Sequence, residues 1–272
     1  MAYLTEAQPP RGMVTQAAPG IRRIVADNPG PMTYHGTNTY LIDGPDGTIV
    51  LDPGPQDLAH TQAVLAAAGR VSAIWITHSH HDHVGGLPAL REATGAPVFA
   101  FAASVTPDHL LADGARLSGW SVLHTPGHAP DHLCFSRADG TLFSGDHVMG
   151  WSSTVVSPPD GSMSAYFTSL RRLLARSDSL FLPGHGPAIT APRAYATFLM
   201  AHRQGREDAI LAALAEQPQQ SGMLVTRLYA DIAPALHPVA ERNVLAHLQK
   251  LVEEGRAILG DAGWTIPSPS RG

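Results

Sequence analysis

Two textures of apolar patterning divide the chain near residue 192. Upstream, short apolar runs are punctuated by Pro and Gly, the pattern of strands and tight turns. Strands are expected at 21–26, 38–43, 48–52, 73–77, 98–101, 121–125, 133–136, 142–144 and 179–182. Between them, helices are expected at 57–68, ending at Gly69, and at 85–94 and 163–176. Short mixed strands with interspersed helices, and no Gly-x-Gly-x-x-Gly turn, point to an α/β sandwich rather than a doubly wound nucleotide fold. Downstream the period lengthens: Tyr195, Phe198 and Leu199, then Ile210, Leu211 and Leu214, predict one helix over 192–216. After a break at 217–222, helices are expected at 223–230 and 238–254. The second carries Val244, Leu245, Leu248, Leu251 and Val252 on one face and stops at Gly255. A small hairpin at 256–266 follows, and helix, helix, hairpin is the order of a winged helix. The chain divides accordingly into a loose extension at 1–20, a sandwich at 21–192, and a helical linker with a winged-helix-like unit at 193–272.

Length and charge narrow the picture. With 272 residues the chain can hold one large domain and a small appendage. The formal charge is −5, only 15% of residues are charged, and the arginines are scattered, so no electrostatic footprint for nucleic acid is present. Cys134 is the only cysteine, which excludes an internal disulfide and a Cys-rich metal site; its default role is a buried, inert thiol. No apolar run approaches the roughly 20 residues that span a bilayer. Residues 1–20 show no basic stretch followed by an apolar one. A cytoplasmic location without a membrane partner is expected.

The chemistry concentrates in His78-Ser79-His80-His81-Asp82-His83, directly after the apolar run 73–77. Imidazole nitrogens and carboxylate oxygens are donors that Zn2+ and its first-row neighbours prefer. Three further segments repeat the sequence of apolar strand, Gly-containing turn and ligand-type residue. Residues 121–125 lead to Pro126-Gly127-His128, 141–145 lead to Asp146, and 179–182 lead to Pro183-Gly184-His185-Gly186. If these strands run the same way, their ligands project from one edge.

These turns resemble those of the metallo-β-lactamase-fold hydrolase superfamily, over residues 21–190. The resemblance implies an αββα sandwich with two divalent cations in a groove at a sheet edge, Zn2+ first, with Mn2+ or Fe2+ as alternatives. By the family pattern His78, His80 and His128 hold one metal, Asp82, His83 and His185 hold the other, and Asp146 bridges them. Two cations roughly 3.5–4 Å apart supply a bridging hydroxide at neutral pH, and Asp82 would orient it as a catalytic residue. His81 is then a spacer, while His124, His132 and His147 are candidate outer partners. His35 lies in a loop that often rims the groove. Trp151 and 152–161, directly after Asp146, are candidates for a substrate wall suited to an apolar acyl group.

Departures from the pattern narrow the substrate. Asp146 stands where one β-lactamase subclass has a thiol, His80 where flavodiiron proteins have Glu, and Met149 where acyl-homoserine lactonases often have Tyr. The winged helix, together with 145–151 and 183–187, resembles the lactamase-β-like protein 2 group, which includes a single-strand endoribonuclease and polyketide thioesterases. Hydrolysis of an ester, thioester or related carbonyl in a small-molecule acyl substrate is therefore the first expectation. Endoribonuclease or phosphodiesterase activity is the alternative, and it would need a basic groove from Arg171, Arg172, Arg176, Arg203 and Arg206. Promiscuous β-lactam or lactone hydrolysis uses the same mechanism. A DNA-binding regulator is a further alternative, reading bases through Arg242, Asn243, His247 and Lys250. Packing on the sandwich, closing the groove or homodimerising are the roles expected first for the C-terminal unit.

Overall fold

In the computed structural model, which describes residues 2–267, the apolar runs upstream of residue 192 are strands covered on both faces. The first sheet has seven strands in chain order: β1 (Thr15–Ala18), β2 (Ile21–Val25), β3 (Asn38–Gly44), β4 (Gly47–Leu51), β5 (Val71–Trp75), β6 (Val98–Ala100) and β7 (His109–Leu110). It is antiparallel from β1 to β4 and parallel from β4 to β7. The second sheet is built from β8 (Arg116–Leu117), β9 (Trp120–His124), β10 (Leu133–Arg137), β11 (Thr141–Gly145) and β12 (Leu180–Pro183), in the spatial order β12-β11-β10-β9-β8.

Successive side chains of a strand face opposite ways, and here each way meets a core. Ile49 and Leu51 of β4 face the second sheet while Val50 faces the helices; Cys134 and Phe135 of β10 divide in the same manner. Trp75 stacks on Phe135 across the inter-sheet core, with ring centroids 5.1 Å apart. The first sheet is covered by α1 (Leu58–Ala68) and, after the single turn α2 (His81–Val84), by α3 (Leu87–Thr94). Asp57 caps α1 by accepting from Ala59 N at 2.9 Å. The second sheet is covered by α4 (Met163–Leu174) and α5 (Pro192–Glu216), through Tyr166, Phe167, Tyr195 and Leu199. This is the expected αββα sandwich.

Helix α5 serves two cores. Its last turns place Ile210 and Leu214 among α6 (Ser221–Leu228), α7 (His237–Glu253) and the hairpin β13 (Ile258–Gly260) and β14 (Gly263–Thr265). Helix α7 also turns Ala246 toward the core under the second sheet. A fully buried Glu207 on α5 accepts from Lys250 Nζ of α7 at 2.8 Å and from Arg256 at 2.7 Å, with His247 Nδ1 3.6 Å away.

Four elements were not expected. Strand β1 lies where a loose extension was read, because only Ala18 of its four residues is buried and no alternation marks it. Residues 2–10 have no regular structure, yet Leu4 N donates to Gly150 O at 2.8 Å and Glu6 pairs with Arg23 at 2.9 Å. Strands β7 and β8 have two residues each, too few to show a period. The fourth is α2, which turns the His-rich segment into one helical turn. The expected extension begins at residue 1 and the expected winged-helix-like unit reaches 268–272, and these residues lie outside the described ones. Among the described residues no helix is long and apolar enough to cross a membrane.

Candidate metal centre

Strand directions bring remote turns together. β9 and β11 each run antiparallel to β10, and β12 runs parallel to β11, so His128, Asp146 and His185 leave the same end of the second sheet. The His78–His83 turn meets them from β5, where Leu133 N donates to Thr77 O at 2.7 Å. A seam ties β3 to the turn after β12: Asn38 Nδ2 donates to Pro183 O at 2.9 Å and to Gly186 O at 3.0 Å. Tyr40 Oη donates to Pro183 O at 2.8 Å, and Asn38 N donates to Gly184 O at 2.7 Å. Gly184 is needed at this crossing, since a Cβ there would lie 2.3 Å from Asp146 Oδ1 and 2.8 Å from His83 Cε1. Gly127, at φ +145°, lets its turn pass α4, where a Cβ would meet Tyr166 Cα at 2.4 Å.

The result is a convergence of seven side chains. His78 Nε2 and His128 Nε2 lie 3.0 and 2.9 Å from His80 Nδ1. His185 Nε2 lies 3.2 Å from Asp82 Oδ2 and 3.3 Å from Asp146 Oδ2. His83 Nε2 lies 3.4 Å from Asp82 Oδ2 and 3.5 Å from Asp146 Oδ1, while Asp146 Oδ2 also reaches to 3.6 Å from His128 Nε2. Asp146 thus touches both halves of the cluster.

The outward ring nitrogens decide what the inward ones can do. His83 Nδ1 donates to Asp52 Oδ2 at 2.9 Å, His128 Nδ1 to Val155 O at 2.7 Å, and His185 Nδ1 to Gly36 O at 3.2 Å. Thr77 Oγ1 gives its proton to Asp52 Oδ2 at 2.6 Å, so at 3.0 Å it accepts from His78 Nδ1. Each of these rings therefore commits its outward nitrogen as a donor and leaves the inward one to share a proton with a neighbour or to bind a metal. His80 Nδ1 faces the Nε2 atoms of both His78 and His128, and a single ring proton can serve only one of these two contacts fully, while His83 Nε2 and Asp146 Oδ1 are buried without any hydrogen-bond partner. Five imidazoles and two carboxylates, without thiolate, fit divalent first-row cations.

Proton affinities tell the same story. Burial pushes His78 well below its usual range and His128 down to about 4. Burial alone would raise Asp82 and Asp146, but His83 and His185 beside them hold both carboxyls well below the usual range. The carboxylates in turn overcome burial at His83 and His185, lifting the latter to about 9. Two carboxylates thus draw positive charge into the centre, and a cation there would take the place of those protons.

Sequence reasoning missed Asp52, which holds Thr77 N at 2.8 Å as well as Thr77 Oγ1 and His83. Its signal was present: Asp52-Pro53-Gly54 after the apolar β4 repeats the strand-turn pattern of the ligands. Asp131 was missed too; it accepts from Ser79 N at 2.8 Å and fixes the His-rich turn. Thr37 Oγ1 donates to Asp82 Oδ2 at 3.1 Å. Of the flanking histidines, His132 accepts from Asp146 N at 3.1 Å, His124 donates to Pro130 O at 2.8 Å, and His147 is buried against Tyr166 without a hydrogen-bond partner. His81 is exposed.

Above the cluster opens a cavity of about 550 Å³, floored by His80, Asp82, His128, Asp146 and His185. Met149, Trp151 and the segment 152–160 form one wall, and Pro31, Met32 and Thr33 the other. Trp151 stacks on Tyr34, with centroids 5.1 Å apart. His35 does not line the cavity; it stacks behind Tyr34 at 3.9 Å, and its Nε2 donates to Glu6 O at 3.2 Å. The wall is anchored from the C-terminal unit. Asn243 Oδ1 accepts from Val156 N at 3.0 Å and from Arg203 Nη1 at 3.0 Å, and Arg203 also donates to Thr154 O.

The arginines of a basic groove are engaged elsewhere. Arg172 pairs with Asp113 and Arg176 with Asp178, Arg203 is buried, Arg206 donates to Leu228 O and lies over Tyr229, and Arg171 lies over Phe167. On the helix read as a base reader, Asn243, His247 and Lys250 are buried inside the protein and only Arg242 is exposed.

Residues 32–107 and 100–185 match the metallo-beta-lactamase superfamily, and 221–264 match the beta-lactamase associated winged helix domain. The chain is 34% identical to a beta-lactamase-like protein 2 homolog of Drosophila melanogaster, over 89% of this chain and 91% of the relative. It is 31% identical to an atrochrysone carboxyl ACP thioesterase of Aspergillus chevalieri, over 87% of this chain and 79% of the relative. A beta-lactamase domain protein from Burkholderia ambifaria shares the fold, with a TM-score of 0.83 at 24% identity, covering 98% of this chain and 97% of that one.

Proposed function

This chain belongs to the metallo-beta-lactamase superfamily of hydrolases, and from that membership we propose that it cleaves an ester, thioester or related carbonyl of a small acyl substrate, using two divalent cations. The observation that carries the reading is a cluster of seven nitrogen and oxygen ligands at the floor of a cavity with partly apolar walls. The relative named as an ACP thioesterase adds support for a thioester. His78, His80 and His128 would hold one cation, Asp82, His83 and His185 the other, and Asp146 both. When bound, such a pair lowers the pKa of water to supply hydroxide at neutral pH and polarises the scissile carbonyl. Zn2+ suits the donor set best, with Mn2+ and Fe2+ as alternatives.

The chain's own groups do the rest. Asp82, positioned by Thr37, orients the attacking water by accepting its proton in a hydrogen bond at a carboxylate oxygen. Asp52 and the Val155 and Gly36 carbonyls hold the ligand rings in place. Met149 and Trp151 receive the acyl group and exclude bulk water from it. Phosphodiester cleavage ranks second, because the arginines it requires are engaged by groups of the protein itself.

The test is turnover by the Zn2+- or Mn2+-loaded protein on acyl-thioesters, lactones, β-lactams and 5′-labelled single-stranded RNA. Thioester turnover that disappears in Asp146→Ala supports the reading. RNA cleavage without ester or thioester turnover overturns it.

A further inference from the structure

We propose that Arg242, on α7 of the winged-helix unit, is a specificity-determining residue that selects substrates bearing an anionic group, a carboxylate or a phosphate. This rests on the carbonyl-hydrolase reading above and names a substrate class for it. Arg242 lines the same cavity as His80, Asp82, His128, Asp146 and His185. It is exposed, and among the described residues it makes no ion pair, although Asp160 lies on the same cavity. The neighbouring arginines of the C-terminal unit are spent: Arg206 on Leu228 O, Arg227 on Glu216, and Arg256 on Glu207 and Glu254.

The position of Arg242 is fixed by the residue after it. Asn243 is buried, and its side-chain oxygen holds both Val156 N of the cavity wall and the Arg203 guanidinium. Arg203 in turn grips the Thr154 carbonyl, so α7 is clasped to the segment that forms the wall. This clasp stations the backbone of Arg242 at the cavity while its side chain stays free to meet a ligand. A guanidinium offers paired donors that match a carboxylate or a phosphate in a fixed planar geometry. Cations at the floor would also attract anions, so a bare preference for charged substrates does not identify the residue. The Arg242 variants separate the two sources.

The experiment uses the full metal-loaded chain and two matched substrate pairs. On the acyl side, adipoyl-N-acetylcysteamine is compared with its terminal amide. On the thiol side, butyryl-pantetheine 4′-phosphate is compared with butyryl-pantetheine. The quantity read is the ratio of kcat/KM, anionic over neutral, within each pair. We expect a ratio above one in at least one pair, falling about five- to tenfold in Arg242→Gln, mainly through KM. It falls further in Arg242→Glu and is partly kept in Arg242→Lys, and the pair that moves tells which end of the substrate carries the anion. Arg116→Gln, an equal loss of charge on β8 outside the cavity, should keep the wild-type ratio. Ratios equal in wild type and Arg242→Gln for both pairs overturn the inference while leaving the hydrolase reading standing. Absence of turnover of every thioester overturns this inference, and absence of ester and lactone turnover as well overturns the hydrolase reading.

Discussion

Two buried clusters of titratable side chains meet opposite fates in this molecule. Around Glu207, burial would raise the carboxyl, but His247, Lys250 and Arg256 hold it at about 2, and each of its oxygens is answered by a cation. At the sandwich edge, imidazoles face imidazoles, and His83 Nε2 and Asp146 Oδ1 have no partner. The ring nitrogens of His247 lack a hydrogen-bond partner too, so the difference lies in setting: the first cluster is closed and lies between helices, and the second opens onto a cavity. Burial of charge alone therefore says little about function, since ion pairs also join structural elements. Ligand-type nitrogens and oxygens that converge from remote turns beside an open cavity say much more.

The contrast can be broken most sharply at Asp146. Asp146→Ala should lower turnover on the order of 1,000-fold or more, because it removes the one carboxylate common to both halves of the site. Metal content measured on the same sample should fall, with thermal stability little changed. Glu207→Gln should do the reverse, leaving the buried Lys250 with only the half-exposed Glu254 as counter-charge and destabilising the fold by about 3 kcal/mol in urea titration. The folded fraction should still bind metal; loss of metal binding would show that the two clusters are not separate. Asp52→Asn is a subtler probe. It unseats His83 and Thr77 without removing a ligand, so metal affinity measured by chelator competition should drop about tenfold.

The smallest effect is a pH dependence. Glu207 is held at about 2 in the fold against an ordinary 4.5, so the unfolded chain binds more protons between these values. Stability from this group is complete above pH 4.5 and is lost as pH falls toward 2. The stability gap between wild type and Glu207→Gln should therefore narrow through that window. A gap that stays constant would mean the carboxylate is not what the cluster stabilises.

The sequence announced the site more clearly than its surroundings. The candidate ligands follow apolar strands at Gly-containing turns, a local pattern that needs no knowledge of tertiary contacts. Asp52 shares the pattern, but Asp-Pro-Gly after a strand also reads as an ordinary turn. The C-terminal unit was legible as helix, helix, hairpin, but the destination of its polar groups was not. Asn243, His247 and Lys250 look like a solvent-facing or base-reading stripe within one helix. They are buried because Arg203 and Glu207, about 40 residues upstream on α5, face them. Such pairing across elements has no periodic signature. Likewise β1 could not be read from a segment with one buried residue.

The seam through which Asn38 and Tyr40 grip Pro183, Gly184 and Gly186 has a consequence for how the molecule breathes. Since it joins the two sheets at the ligand-bearing edge, neither sheet can peel away there alone. In amide hydrogen exchange the backbone proton of Asn38 should be among the slowest, released only when the whole sandwich opens. Catalytic edges are commonly the loosest parts of a protein; here the edge doubles as the clasp between its halves.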